Sequence, residues 1–167
     1  MQRLAVAVLV VWALFRLARH LAPPAAFPES VARVERVIDG DTLELAGGQR
    51  VRLLGIDTPE MAPAAGPAEP LAAEATRFTR ELVEGREVRL EFDRERLDPY
   101  RRVLAYVWLD ERFVNAEIVR AGLSRAETRF PLRTDRKRLL EGAEREARDA
   151  GRGLWNRAAE ADRKRMP

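Results

Sequence analysis

An α+β domain, mainly β, is predicted by three features of this sequence: five short apolar runs of strand type, turn residues between them, and helical periodicity in the connecting segments. The strand runs are VARVERVI from residue 31, TLELA from 42, RVRLLGI from 50, EVRLEF from 87 and VLAYVWL from 103, all rich in Val, Leu or aromatics. Gly47-Gly48 turns the second run into the third, and Asp110-Glu111 turns the fifth toward FVN. Neighbouring strands are therefore expected to pair as antiparallel hairpins in a meander that closes toward a barrel.

Three helices follow from the 3.6-residue pattern. Leu71, Ala75, Phe78 and Leu82 recur at helical spacing and Gly85 supplies a stop, which predicts an amphipathic helix over 71–84 covering the barrel. A second, short helix takes Asn115 as its N-cap, carries Ile118 and Val119, and stops at Gly122. The third runs from about Thr134 to Ala150 with Leu139, Leu140, Ala143 and Ala147 inward, and the arginines of its outer face read as solvated surface. Between strands three and four, MAPAAGPAEP (61–70) has three prolines and a glycine, and is expected to be an exposed loop beside the chemistry.

Residues 1–22 stand apart. Leu4 to Phe15 is uninterrupted apolar sequence followed by Arg16 and Arg19, short for a spanning helix but suited either to a marginal anchor reaching Ala22 or to a cleaved export signal. A buried core helix is the third reading. Residues 23–30 form a Pro/Ala-rich linker, 31–157 the folded domain, and 158–167 a charged, solvated tail. The expectation is a domain outside the cytoplasm, membrane-anchored or secreted.

Composition narrows the chemistry. With no cysteine, the chain has no disulfides, thiolate metal sites or cysteine nucleophile, and its single histidine, His20, flanks the apolar run, so histidine triads and multi-histidine metal sites are excluded. Any metal needs oxygen ligands. Lys and Arg total 30 against 27 Asp and Glu, a net charge of +3, which permits a polyanionic ligand without demanding one.

Two carboxylate turns, Asp39-Gly40-Asp41-Thr42 and Asp57-Thr58-Pro59-Glu60, fall where strands end or restart. A hairpin return brings Asp41 and Asp57 together, and a hard cation would relieve their repulsion. Two carboxylates with a backbone carbonyl and water make an oxygen set suited to calcium, less so to magnesium. Pro59 biases Thr58 toward extended geometry, which aims the Thr58 carbonyl at that ion, and Asp39 shares the turn as support. Glu60 can take a proton from water, and Arg52 and Arg102 present forks that match two oxygens of a phosphate. Taken singly, each of these residues more often marks a turn or a solvated strand; the constellation carries the weight.

IDGDT, RLLGIDTPE, DPYRRVLAYVW and VNAEIVRAGLS occur in the order seen in the thermonuclease, or staphylococcal-nuclease-like, family, and the chain resembles that family from about residue 33 to 156. The resemblance implies a five-stranded OB-type barrel with three helices, and a Ca2+ ion on Asp41, Asp57 and the Thr58 carbonyl. It also implies Glu60 as general base, Arg52 and Arg102 on the phosphate, and cleavage of DNA and RNA to 3′-phosphate ends; separately, a monomer is expected. Two departures stand out. Arg101 replaces the family's usual glycine, and SRAETRF offers Thr128 and Phe130 where members place stacking tyrosines. Arg101 would then add a phosphate contact or disturb Arg102, Phe130 keeps one stacking face, and Tyr100 packs either against the nucleotide or into the fold. The competing reading is a noncatalytic nucleic-acid-binding barrel, whose signature would be missing carboxylates.

Overall fold

The computed structural model describes residues 29–61 and 67–156. The expected anchor or signal (1–22), His20, most of the linker and the charged tail lie outside the described residues. Among the described residues no helix is long and apolar enough to cross a membrane.

Along the chain run β1 (Glu29–Asp39), β2 (Thr42–Leu45), β3 (Arg50–Leu53), β4 (Ile56–Asp57), α1 (Ala72–Val83), β5 (Glu87–Glu91), β6 (Val103–Leu109), β7 (Arg112–Phe113), α2 (Val114–Arg120), β8 (Arg125–Ala126) and α3 (Thr134–Asp149), closed by a 3₁₀ turn at Gly153–Trp155. Strand β1 serves two neighbours. Its first half pairs with β5, from Glu29↔Glu91 to Arg33↔Glu87, and its second half with β2, from Val34↔Leu45 to Asp39↔Thr42. Register shifts after Val34 and Val37 bend the strand between the two pairings.

The order β3-β2-β1-β5-β6 closes because β3 also pairs with β6 in parallel, Val51↔Val103 through Leu53↔Ala105. Among the described residues the result is a five-stranded barrel with three helices, an OB-type α+β fold. The meander holds for β1-β2-β3 and for β5-β6, but β5 pairs with β1 rather than β3. Helix α1 carries the chain across between them, and the parallel contact leaves neither β3 nor β6 with an open edge.

Three local expectations are corrected. RVRLLGI is two strands: β3 ends at Leu53, Gly55 takes φ 74°, and β4 leaves the barrel to pair with β8, Ile56↔Ala126. A side chain at Gly55 would come within 2.8 Å of Leu132 and Leu140, so the bend needs glycine both for its φ and for space. Asn115 is not an N-cap. Helix α2 begins at Val114, and the buried Asn115 accepts from Val107 N–H at 2.9 Å and donates to the Leu54 carbonyl at 2.8 Å, tying β6 to the strand break. Leu139 is 44% exposed, because Leu140, Ala143 and Ala147 already form the inward stripe of α3 and the preceding position is rotated off it.

The core fills the barrel and the space under the helices. Val34, Leu43, Val51, Leu53, Val107, Ile118 and Leu140 are essentially inaccessible, each contributing about 1.5–3 kcal/mol relative to exposure. In α1, Ala72, Ala75, Thr76, Thr79 and Val83 are buried, while Leu71, Phe78 and Leu82 are half-buried against the same core. Helix α3 is held by charge at its first turns: buried Glu91 accepts from Arg136 at 2.8 and 3.0 Å and from Trp108 Nε1 at 3.1 Å, and pairs with Arg133. Two guanidiniums compensate that buried carboxylate.

Candidate active site

The tight turn between β1 and β2 places the first carboxylates. Asp39 Oδ1 accepts from Asp41 N–H at 3.1 Å, a local bond that shapes the turn. Thr79 of α1 donates to the Gly40 carbonyl at 2.8 Å. A Cβ on Gly40 would lie 2.7 Å from Thr58 Oγ1 and 2.8 Å from the Ala75 Cβ, so glycine lets this turn, α1 and the 57–60 segment meet.

Asp41 is buried and crowded with donors. Its Oδ2 accepts from Thr58 N–H at 2.9 Å and Thr58 Oγ1 at 3.0 Å, and its Oδ1 from Thr42 Oγ1 at 3.2 Å. Asp57 is different. Its backbone is pinned, with N–H donating to the Oγ of buried Ser124 at 2.9 Å and that hydroxyl 2.8 Å from the Asp57 carbonyl, while its side chain is 67% exposed.

Arg52 joins the two carboxylates. Its Nε lies 3.2 Å from Asp41 Oδ1 and its NH2 3.0 Å from Asp57 Oδ1, while NH1 donates to the Leu53 and Ile56 carbonyls at 2.7 and 2.8 Å. Two carboxylates thus converge on one position of positive charge. Burial pushes the Asp41 carboxyl up to about 6, although Arg52 and the bonds from Thr58 pull the other way. The site therefore offers more carboxylate than one guanidinium compensates. Its donors are all oxygens, which suits a hard divalent cation. Among the described residues no three carboxylate or imidazole groups form a closed metal cage, so a cation here would take main-chain oxygen and water as well.

Of the remaining predicted residues, all but Phe130 line an adjoining cleft of about 620 Å3, bordered by Gln49, Arg50, Glu60, Tyr100, Arg101 and Arg102. Glu60 is exposed, and its N–H donates to Glu69 Oε2 at 3.1 Å while its carbonyl accepts from Glu69 N–H at 2.9 Å. This return holds the base of the 61–70 loop. Arg102 is oriented by a residue that sequence reasoning missed: Asp98 accepts from Arg102 Nε at 2.6 Å and from the backbone N–H groups of Tyr100 and Arg102 at 2.9 and 2.8 Å. Burial pushes the Asp98 carboxyl up, but its bonds and ion pair with Arg102 outweigh that and hold it below the ordinary carboxylate value.

Arg101 adopts φ 63° and the turn closes, with Arg101 N–H donating to the Asp98 carbonyl and Asp98 N–H to the Arg102 carbonyl, both at 3.0 Å. The turn thus forms with arginine at this position, and Arg102 keeps its bond to Asp98. Tyr100 is 82% exposed and lies under the Arg102 guanidinium at 5.6 Å, so it is a surface ring, not a core one. Phe130 is also exposed, in the segment before α3, and does not line this cleft.

The structure thus brings Asp39, Asp41, Arg52, Asp57 and Thr58 into one bonded group, and Glu60, Tyr100, Arg101 and Arg102 into the neighbouring cleft. The Asp57–Glu60 segment and the parallel β3–β6 pairing join the two. Missed by sequence reasoning were Thr79, Asp98, Ser124 and the close packing at Gly40. Only Asp98 carried a signal, as an aspartate before proline at the start of a turn.

A five-stranded barrel with paired aspartates bridged by arginine, beside a cleft holding a glutamate and a second arginine, defines a hydrolase of the phosphodiesterase class. Residues 50–157 match the family model described as Staphylococcal nuclease homologue. The thermonuclease of Staphylococcus intermedius is 40% identical over 127 residues, covering 74% of this chain and 75% of the relative. That of Staphylococcus hyicus is 36% identical over 131 residues, 77% of each, and endonuclease YncB of Bacillus subtilis (strain 168) is 32% identical over 129 residues, 75% of this chain and 61% of the relative. The chain belongs to the staphylococcal nuclease family.

Proposed function

We propose that this nuclease is a calcium-dependent, largely sequence-nonspecific endonuclease that hydrolyses phosphodiester bonds of DNA and RNA, single strands preferred, and leaves 3′-phosphate ends. The observation that carries the reading is the Arg52 bridge between Asp41 and Asp57 at 3.2 and 3.0 Å, beside the cleft of Glu60 and Arg102. Asp41, Asp57 and the Thr58 carbonyl would hold the ion, which when bound supplies Lewis-acid charge at the phosphate.

The chain's own groups do the rest. Glu60, exposed in the cleft, takes the proton of the attacking water. Arg102, aimed by Asp98, and Arg52 present planar forks to the phosphoryl oxygens and stabilise the charge that builds there. Ser124 and Thr79 keep the two carboxylate turns in register. The enzyme works as a monomer outside the cytoplasm, tethered by the N-terminal segment or released from it.

The test is cleavage of single-stranded DNA and RNA by the full chain in calcium, magnesium and EDTA, with Glu60→Gln alongside. Calcium-dependent cleavage that falls by at least about 10²-fold in Glu60→Gln, with calcium affinity retained, is the expected result. Tight DNA binding with no cleavage in any metal would point instead to a noncatalytic barrel.

A further inference from the structure

Strand β3 alternates its faces. Val51 and Leu53 are buried in the barrel, so Arg50 and Arg52 lie together on the opposite side, roughly 6.6 Å apart along the strand. Arg52 already spends its Nε, NH1 and one N–H of NH2 on the contacts described above. Arg50 spends none of its own: its cross-strand neighbour Glu44 is taken by Arg36 at 3.1 and 3.2 Å, and Arg50 has no side-chain hydrogen bond or ion pair among the described residues.

Across the cleft the contrast repeats. Arg102 is held through its Nε by Asp98, whereas Arg101 has no carboxylate partner among the described residues and yet borders the same cleft as Arg50. Arg101 also holds a left-handed backbone that costs a non-glycine residue about 1–2 kcal/mol. Strain of this kind clusters at active sites and ligand clamps. The parallel register places Arg50 one step before Val51 and Arg102 one step before its partner Val103, so Arg50 comes level with Arg102, and next to Arg101, at the start of the β3–β6 contact.

We propose that Arg50 and Arg101 form a second anion subsite, which binds the backbone phosphate of the nucleotide next to the scissile one. The subsite makes the enzyme select polynucleotides over isolated phosphodiesters. This rests on the phosphodiesterase reading above and gives Arg50 and Arg101 a substrate-binding role away from the reacting phosphate.

The experiment compares wild type with Arg50→Gln, Arg101→Gln and the double variant in the full chain. Two substrates are used: a ten-nucleotide single strand, and a nitrophenyl ester of thymidine phosphate, which has no neighbouring phosphate. KM for the oligonucleotide rises about tenfold in each single variant with kcat unchanged, while KM for the ester stays the same. In EDTA, where nothing is cut, oligonucleotide binding by the double variant shows a salt slope shallower by about 0.7, one phosphate contact on a single strand. Equal KM increases on both substrates, or an unaltered salt slope, would overturn the subsite. Absence of cleavage in every metal with the slope change intact would defeat the catalytic reading alone and support the subsite. Arg50 is exposed on a short strand, so Arg50→Gln alone keeps the question answerable if substitution at Arg101 disturbs the turn.

Discussion

Asp98 accepts a hydrogen bond from Arg102 Nε at 2.6 Å, and the same carboxylate caps two backbone N–H groups of the turn that leads into β6. One acid therefore sets both the turn and the direction of the guanidinium. Asp98→Asn keeps the size of the side chain but loses the charge that holds Arg102. Turnover on single-stranded DNA is expected to fall about tenfold, consistent with loss of one charge-assisted bond, while calcium affinity is unchanged. Wild-type turnover in Asp98→Asn would show that Arg102 is positioned by something else.

At Arg101 stability and substrate binding are expected to oppose each other. Arg101→Gly relieves the left-handed strain of about 1–2 kcal/mol and loses part of that to the greater freedom of the unfolded chain, a net gain of roughly 0.5 kcal/mol. Urea denaturation should show a higher midpoint with unchanged slope. A lower midpoint would mean that the Arg101 side chain stabilises the folded state by contacts of its own.

Gly40 lies where a methyl group cannot go. Gly40→Ala forces Thr58 Oγ1 and Ala75 Cβ away from contacts of 2.7 and 2.8 Å, so a loss of about 1–3 kcal/mol is expected together with weaker calcium binding, because Thr58 would move. Calorimetry with and without calcium reads both effects. Weaker stability with calcium affinity intact would separate the packing role from the site.

Tyr106 gives the fold an alkaline limit. Burial, then the hydrogen bond its hydroxyl donates to Asp93 at 2.7 Å, push the phenol well above its ordinary 10.0. The folded chain keeps the proton where the unfolded chain loses it. This contribution to stability is thus fully present below pH 10 and declines as the pH rises above it, by at most about 1.4 kcal/mol per pH unit. Tyr106→Phe should be less stable than wild type at pH 8 and lose less between pH 8 and 11. Parallel pH curves for the two proteins would rule out this titration.

The strand runs, the turn glycines and the two carboxylate turns were readable because each depends on period, on φ or on local hydrogen bonding within a few residues. Asn115 misled for the same reason. Asparagine before an apolar run is a good cap on local grounds, but here its amide satisfies Val107 N–H and the Leu54 carbonyl, groups whose proximity depends on how β6 packs. The site shows the same division. Asp41, Asp57, Arg52, Glu60 and Arg102 stood out by residue type and spacing, whereas Ser124 met Asp57 across 67 positions with no pattern to announce it.

By itself the amino-acid sequence determined the fold class, the all-oxygen donor set and the acids and arginines of the site, since these follow from periodicity and from which side chains are present at all. Tertiary structure decided the rest: the parallel closure of β3 on β6, the bridging of Asp41 and Asp57 by one guanidinium, and the backbone of Arg101. Those features depend on chain segments far apart in sequence meeting at hydrogen-bond distance. That meeting is set by closure of the barrel, which no local run of residues encodes.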